Sequence, residues 1–251
     1  MNSATACAFS LVCTDGVDSM TGNVADVAAL ARVARAHGAL LYVDDAHGFG
    51  VIGERSATEL SPYGRRGNGV VRFSAETYDN VILVGGFSKA YSSLLAFVAL
   101  PTQLKERLKT AAAPYLYSGP SPTASLATVL AGFDVNEVRG DEIRARLHEM
   151  TTRLLRAVDE LGLATPNRSG LPIVELPLAA GEDFTAAWEF LLDRGVYTTP
   201  AAYPLVPRTD VGFRVQVTAA HTPGQIEELC DVLQACATTF RLRRRSDDDI
   251  G

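Results

Sequence analysis

The stretch Val81-Ile-Leu-Val-Gly-Gly-Phe-Ser-Lys-Ala90 is the part of the sequence that decides the fold assignment. It begins with a continuous apolar run, passes through two glycines and reaches Lys89 three residues later. A continuous apolar run of this kind is typical of a strand that is covered on both faces of a parallel sheet. A lysine close to a protein core needs a partner, and an aldehyde is one such partner.

A second apolar run upstream also ends in polar residues. Leu40-Leu-Tyr-Val43 leads directly into Asp44-Asp-Ala-His47, which Gly48-Phe-Gly50 follows. In open α/β sheets, ligands bind beyond the carboxyl ends of the strands. We therefore expect Asp44, His47 and Lys89 to lie at one edge of a sheet.

Predicted strands and helices alternate along the chain, which indicates an α/β layer with a mostly parallel sheet. Up to residue 134 the predicted strands are 6–12, 40–43, 81–84 and 96–100, and the helices are 24–37, 101–110 and 121–133. We interpret residues 53–79 as a surface loop with a short strand at 70–73.

The later part of the chain has a different pattern. It contains predicted helices at 141–161, 184–193 and 223–242 and predicted strands at 173–176, 196–199 and 213–217. This pattern suits a smaller α+β domain. We predict a large α/β domain at 1–134, a small α+β domain at 135–242 and a flexible tail at 243–251.

Composition excludes several classes of protein. The chain has 251 residues, 47% of them hydrophobic, and a net charge of −6, so a sizeable core is expected and a nucleic-acid surface is not. We find no apolar run of transmembrane length and no signal-peptide pattern. The four cysteines form no CxxC pair, so we predict no metal site and interpret them as reduced, in a cytoplasmic protein.

Asp44, His47 and Lys89 together suit pyridoxal 5'-phosphate. This cofactor needs a lysine amine for its aldehyde and an acid beside its pyridine nitrogen. Taken alone, Ser88-Lys89 is typical of a surface turn, and Asp44-Asp45 is typical of a helix cap or a metal ligand. The joint pattern favours the cofactor.

Three segments resemble the α-oxoamine synthase family, which are fold-type I pyridoxal-phosphate enzymes of the class-II aminotransferase group. The segments are Asp44-Asp-Ala-His-Gly-Phe-Gly50, Gly86-Phe-Ser-Lys-Ala90 and Phe213-Arg-Val-Gln-Val-Thr-Ala-Ala-His221. They occur in family order, and the resemblance extends from about Cys7 to about Ala235. It implies a large domain with a mostly parallel sheet and a small C-terminal α+β domain.

The resemblance also implies roles for individual residues. Lys89 resembles the Schiff-base lysine, Asp44 the partner of the pyridinium nitrogen, and His47 the histidine that bonds the phenolic oxygen of the cofactor. Ser19, Ser88 and Ser118 resemble cofactor-binding serines. Arg214 resembles the arginine that holds the amino-acid carboxylate, for which a planar guanidinium is well suited. A structural ion pair is the alternative for Arg214.

The chain departs from the family pattern at three places. Gly86 replaces a threonine that contacts the phosphate in the family. The glycines that normally follow the lysine are replaced by the bulkier Ala90-Tyr-Ser-Ser-Leu-Leu-Ala96. In the segment that reaches the phosphate of the neighbouring subunit, Ser118 is kept, but Gly119 replaces the next hydroxyl. These departures indicate altered phosphate contacts or weaker cofactor binding.

The resemblance implies a decarboxylative condensation of an amino acid with an acyl-CoA or acyl-carrier-protein thioester. The family carries an N-terminal part that precedes the matching segment here, so we expect an incomplete chain that forms a homodimer or a complex with a chain supplying the missing part. Two alternatives stay open: an aminotransferase on the same scaffold, and a non-catalytic subunit or truncated remnant.

Overall fold

The computed structural model describes residues 10–179 and 181–245. These residues form two compact units. The first comprises Val24–Asp141 and the described part of Met1–Val17; the second comprises Asp18–Asn23 and the described part of Glu142–Gly251. Each unit has a sheet of its own.

The first unit is built on a four-stranded sheet with the strand order β1-β2-β3-β4. The strands are β1 (Leu11–Asp15), β2 (Leu40–Asp44), β3 (Val81–Gly86) and β4 (Ala96–Ala99). The first three strands are parallel, and β4 is antiparallel to β3. The predicted α/β layer with a mostly parallel sheet is therefore confirmed.

Helices cover this sheet or extend from it. They are α1 (Val27–Ala36), α2 (Val70–Phe73), α3 (Thr102–Ala111), α4 (Ala113–Leu116) and the first half of α5 (Thr123–Glu160). The Asp26 side chain caps α1 by accepting a hydrogen bond from the Ala29 amide, and Val27 and Ala31 are buried on its inner face. The sequence pattern did not predict α4.

The short strand predicted at 70–73 is wrong, because these residues form α2. The Asp45 carboxylate accepts a hydrogen bond from the Val70 amide at 2.7 Å, which satisfies a free donor in the first turn of the helix. Val70 and Val71 are fully buried. The helical turn is thus held by a residue that is distant in sequence, and this outweighs the strand preference of two valines.

Other boundaries also differ from the prediction, and the strand predicted at 196–199 lies at Thr199–Ala201. The helices predicted at 121–133 and 141–161 are one continuous helix, α5, which runs from Thr123 to Glu160. β1 continues to Asp15 instead of ending at residue 12, because Asp15 pairs in register with Asp44 of β2. Residues 6–9 of the predicted first strand lie outside the described residues.

The second unit contains a three-stranded antiparallel sheet with the order β5-β7-β6. Its elements are β5 (Ile173–Pro177), α6 (Phe184–Leu192), β6 (Thr199–Ala201), β7 (Gly212–Gln216) and α7 (Pro223–Thr239), with the second half of α5. Leu154, Val174, Phe213 and Leu233 are buried in its core. The unit has the α+β character that the sequence predicted.

The segment after α7 returns to the sheet of the second unit. The Arg243 amide donates to the Pro177 carbonyl, and Arg243 also pairs with Asp210 at 3.0 Å. The flexible tail predicted at 243–251 thus begins within a hydrogen-bonded segment, and residues 246–251 lie outside the described residues.

Candidate functional site

The carboxyl ends of β2 and β3 lie side by side in the first unit. Asp44 pairs with Val84 in parallel register, and the Asp45 amide donates to the Val84 carbonyl at 2.8 Å. The loops that follow the two strands therefore leave the sheet at the same edge. One loop carries Asp44 and His47, and the other carries Ser88 and Lys89.

These two loops touch each other closely. A Cβ atom built at Gly86 would lie 2.9 Å from Ala46 Cβ, and one built at Gly50 would lie 2.6 Å from Ala90 Cβ. The contact brings a carboxylate, an imidazole, a hydroxyl and an amine to neighbouring loops. Asp44 and His47 are half-buried, whereas Ser88 and Lys89 are exposed.

Asp44 and Asp45 have different environments although they are adjacent in sequence. Asp44 Oδ1 accepts a hydrogen bond from the Ala46 amide at 3.0 Å, and the side chain keeps contact with solvent. Asp45 is fully buried, and this burial raises the pKa of its carboxyl group to about 7, against the opposing effect of the Val70 and Gly48 amides. Asp44 is thus available at the sheet edge, and Asp45 is structural.

Three glycines make room for the Asp45 carboxylate. Cβ atoms built at Gly16, Gly48 and Gly69 would lie 2.6, 2.1 and 2.4 Å from its oxygens. No side chain fits at these distances, so the glycines allow Asp45 to anchor the loop that carries His47. The sequence pattern indicated no individual role for Asp45, although a helix cap was one alternative for the Asp44-Asp45 pair.

An aromatic cluster packs against the loop that carries Lys89. Phe49 and Tyr91 stack with ring centroids 5.6 Å apart, and Phe87 meets Tyr91 edge-on at 5.3 Å. Phe97 and Phe133 extend the cluster. Offset and edge-to-face packing of this kind adds about 0.5–1.5 kcal/mol per pair beyond surface burial. The cluster fixes both loops from which Asp44, His47 and Lys89 project.

The structure explains why bulky residues follow Lys89. Cβ atoms built at Gly50 and Gly132 would lie 3.1 and 2.5 Å from the Tyr91 ring. Gly50 also has φ +88, which few other residues adopt. The glycines that accommodate the lysine loop thus lie on the elements that pack against it, instead of directly after Lys89.

Gly86 and Gly119, the two glycines that replace hydroxyl-bearing residues of the family, have different surroundings. A side chain at Gly86 would collide with Ala46, whereas a side chain at Gly119 would meet no atom within 4 Å. The glycine at position 86 is therefore required by the contact between the loops. Ser118, which precedes Gly119, is exposed and follows α4.

Ser19 and Arg214 belong to the second unit. Ser19 is half-buried in a turn that the Asp18 carboxylate closes by accepting hydrogen bonds from the Met20 and Thr21 amides at 3.0 and 2.7 Å. The site residues that the structure brings to neighbouring loops are thus Asp44, His47, Ser88 and Lys89, all in the first unit.

Arg214 lies in the central strand of the second unit's sheet. It alternates with the buried Phe213 and Val215, as its strand pattern predicts. Burial lowers the pKa of its guanidinium, and the nearby Asp18 and Glu175 carboxylates oppose this. Glu175 is directly opposite Arg214 on β5 and is buried, and it was not among the predicted site residues. Its signal is an acid within the otherwise apolar strand Ile173–Pro177.

Comparison with known proteins identifies the family. A family model described as aminotransferase class I and II matches residues 2–233. The chain belongs to this family. Among curated relatives, the 8-amino-7-oxononanoate synthase of Chromohalobacter salexigens is 36% identical over 227 residues, which cover 90% of this chain and 55% of the relative. The enzyme of the same name from Stutzerimonas stutzeri is 34% identical over 228 residues, with the same two coverages.

Solved structures agree with this result. A serine palmitoyltransferase with pyridoxal phosphate as internal aldimine has a TM-score of 0.80 and 28% identity, over 91% of this chain and 55% of the other. An 8-amino-7-oxononanoate synthase from Francisella tularensis has a TM-score of 0.76 at 23% identity, over 92% and 63%, and shows the fold alone. The predicted fold class and the resemblance to the α-oxoamine synthases are therefore confirmed.

The chain spans about half, 55%, of the curated relatives that it matches. Within residues 10–179 and 181–245, no helix combines the length and the apolar character that crossing a bilayer requires. The same residues contain no cluster of three or more His, Cys, Asp or Glu side chains arranged to hold a metal ion.

Proposed function

We propose that this chain provides the lysine-bearing part of a pyridoxal-phosphate-dependent acyltransferase. The enzyme condenses an amino acid with an acyl-CoA or acyl-carrier-protein thioester and releases carbon dioxide and the free thiol. The observation that carries the proposal is the contact between the loop of Asp44 and His47 and the loop of Ser88 and Lys89. Membership of the aminotransferase class I and II family supports it.

The side chains at this sheet edge fit pyridoxal 5'-phosphate. Lys89 presents an exposed amine, Asp44 a half-buried carboxylate, and Ser88 an exposed hydroxyl. When bound, the cofactor supplies an aldehyde for amines and a protonated ring that accepts electrons. The Lys89 amine would hold the aldehyde, Asp44 would keep the ring nitrogen protonated, and His47 would donate a hydrogen bond to the phenolic oxygen.

The chain's own residues also handle the substrate. The Lys89 amine would move a proton at the substrate α-carbon. Arg214 holds the substrate carboxylate through a two-point contact. Ser19, Ser88 and Ser118 bind the cofactor through their hydroxyls.

The proposed function also includes assembly with a further chain. We infer that the chain forms a homodimer or a complex with another chain. Large apolar side chains on α4 and α5 are exposed, among them Leu116, Leu130 and Val138, and a partner chain that packed on these helices would remove them from water. We place the protein in the cytoplasm, in agreement with its free Cys13, Cys230 and Cys236.

A non-catalytic subunit is the second candidate. The observation that favours it is the exposure of Lys89, whose amine is accessible to solvent in this chain. In that role the chain would stabilise a complete relative without using its own lysine.

Labelling of the lysines tests both candidates. The chain contains three lysines, Lys89, Lys105 and Lys109, so borohydride reduction in the presence of pyridoxal phosphate followed by peptide mapping gives a clear assignment. We expect the label on Lys89, an absorption band near the visible edge, and loss of both in Lys89→Ala but not in Lys105→Ala. A label confined to Lys105 or Lys109 contradicts the cofactor role. No label in an assembled complex favours the non-catalytic subunit.

A further inference from the structure

A cavity of about 520 Å³ lies within the second unit, and the residues lining it all belong to that unit. One wall is formed by Glu175 and Pro177 of β5, and another by the turn that contains Asp18 and Thr21. The volume is sufficient for a small organic molecule.

Glu175 forms an unusual part of this wall. Its neighbours Val174 and Leu176 face the core, so alternation along the strand directs Glu175 and Pro177 to the opposite face, where the cavity lies. Glu175 is only 3% exposed, and its Oε1 atom has no hydrogen-bond partner among the described residues. An unsatisfied buried acceptor costs about 1–3 kcal/mol, and more when it is charged.

The cross-strand neighbour does not satisfy this oxygen. Arg214 is directly opposite Glu175, yet Arg214 Nε also has no hydrogen-bond partner among the described residues. The two side chains therefore influence each other by charge without a bond between these two atoms.

Other charged groups of the cavity have partners. Asp18 Oδ1 accepts hydrogen bonds from the Met20 amide, the Thr21 amide and Thr21 Oγ1 at 3.0, 2.7 and 2.8 Å. Asp210 Oδ1 accepts from Arg243 Nη1 at 3.0 Å. The unmet hydrogen-bonding capacity at Glu175 is thus that of an acceptor, and a ligand must bring a donor.

Charge and shape restrict that donor further. Burial is the main cause that raises the pKa of the Glu175 carboxyl group. The neighbouring Asp210 and Asp18 carboxylates raise this pKa further, while Arg243 and Arg214 lower it. A cation beside Glu175 would stabilise its ionised form. The lining contains three acidic residues, Asp18, Glu175 and Asp210, and two arginines, Arg168 and Arg243, so acidic residues outnumber basic ones. Its apolar residues include Met20, Pro166, Leu205, Val206 and Pro207. A short aliphatic body with a positively charged N–H group matches both features.

We propose that this cavity binds a small organic cation, an aliphatic ammonium or guanidinium ion, with the Glu175 carboxylate as its acceptor. The inference goes beyond the proposed acyltransferase function, because none of the residues that line the cavity has a role in that function, although Glu175 lies opposite Arg214.

Calorimetric titration of the full chain tests the proposal. The probes are n-butylammonium and agmatine, with n-butanol and butyrate as neutral and anionic controls of similar shape. We expect both cations to bind and both controls to bind at least about tenfold more weakly. Glu175→Gln keeps the side-chain shape and removes the charge, so it should weaken cation binding at least about tenfold. Glu189→Gln, at an exposed position of α6, changes the net charge equally and should leave binding within about twofold.

A second variant keeps the test informative if Glu175→Gln fails to fold. Leu205 is 73% exposed at the cavity, so Leu205→Trp should fold normally and obstruct the cavity. We expect it to weaken cation binding several-fold. The proposal would be overturned if neither cation bound, if n-butanol bound as tightly as the cations, or if butyrate bound more tightly. It would also be overturned if folded Glu175→Gln or Leu205→Trp bound the cations with wild-type affinity.

Discussion

The Tyr91 ring lies directly against the backbone of Gly132, so that a Cβ atom at Gly132 would be 2.5 Å from Tyr91 Cδ1. Gly132 lies inside the long helix α5, at its tenth residue, where glycine is unfavourable by about 1 kcal/mol relative to alanine. The close contact explains its presence, because it lets Tyr91 enter the aromatic cluster beneath the loop of Lys89.

We expect Gly132→Ala to destabilise the protein by about 1–2 kcal/mol, since overpacking costs more than the gain in helix propensity. The matched control is Gly224→Ala in α7, where a Cβ would meet no atom within 4 Å, and which should be neutral or slightly stabilising. The free energy of unfolding in urea measures both. A stabilised Gly132→Ala variant would show that the helix and Tyr91 do not pack in this way.

Asp45 should make stability depend on pH. Burial raises its folded-state pKa to about 7, above an unfolded value near 3.9, so the folded protein binds this proton more tightly. Its contribution to stability therefore falls as pH rises from about 4 to about 7 and is constant above, with a total change of at most roughly 4 kcal/mol. Asp45→Asn should flatten this part of the unfolding free-energy profile.

The control for this measurement is Asp134→Asn, which removes an exposed carboxylate from α5. It should retain the wild-type profile between pH 4 and pH 7. If Asp45→Asn showed the same pH dependence as the wild type, Asp45 would not be the group that titrates.

Asp44→Asn should impair cofactor chemistry while it leaves the fold intact. Asp44 Oδ1 accepts a hydrogen bond from the Ala46 amide, and an asparagine oxygen can keep it, so the unfolding free energy should change by less than about 0.5 kcal/mol. An amide cannot supply the charge that holds a proton on the ring nitrogen. Activity with pyridoxal phosphate in a competent complex should therefore fall strongly. Wild-type activity in this variant would show that Asp44 is not the ring partner.

Arg214→Lys should weaken amino-acid binding by about tenfold or more and change binding of the acyl thioester far less. The substitution keeps the charge but loses the two-point contact of the guanidinium group. Apparent affinities for each substrate in a reconstituted complex measure the effect, with Arg156→Lys, at an exposed position of α5, as the control. An equal loss for both substrates would assign Arg214 a structural role.

The sequence alone was sufficient to predict the strands that carry the site. The apolar runs ending at Asp44 and before Lys89 are local patterns, and parallel strands end at the same edge of a sheet whatever else surrounds them. For this reason β2, β3 and the neighbouring positions of their two loops followed from the residues themselves. The alternation that directs Arg214 away from Phe213 and Val215 is equally local.

Contacts between residues far apart in the chain decided the features that local sequence patterns did not predict. Val70 and Val71 have a strand preference, but the Asp45 carboxylate and burial hold them in a helix. The bulky residues after Lys89 are accommodated by Gly50 and Gly132, which no local pattern connects to them. The possible binding role of Glu175 could be inferred only from the fold, which places it at a cavity wall with an oxygen that has no hydrogen-bond partner among the described residues. Local periodicity thus determined the elements and their chemistry, whereas packing and buried hydrogen bonds between distant segments could be known only from the tertiary structure.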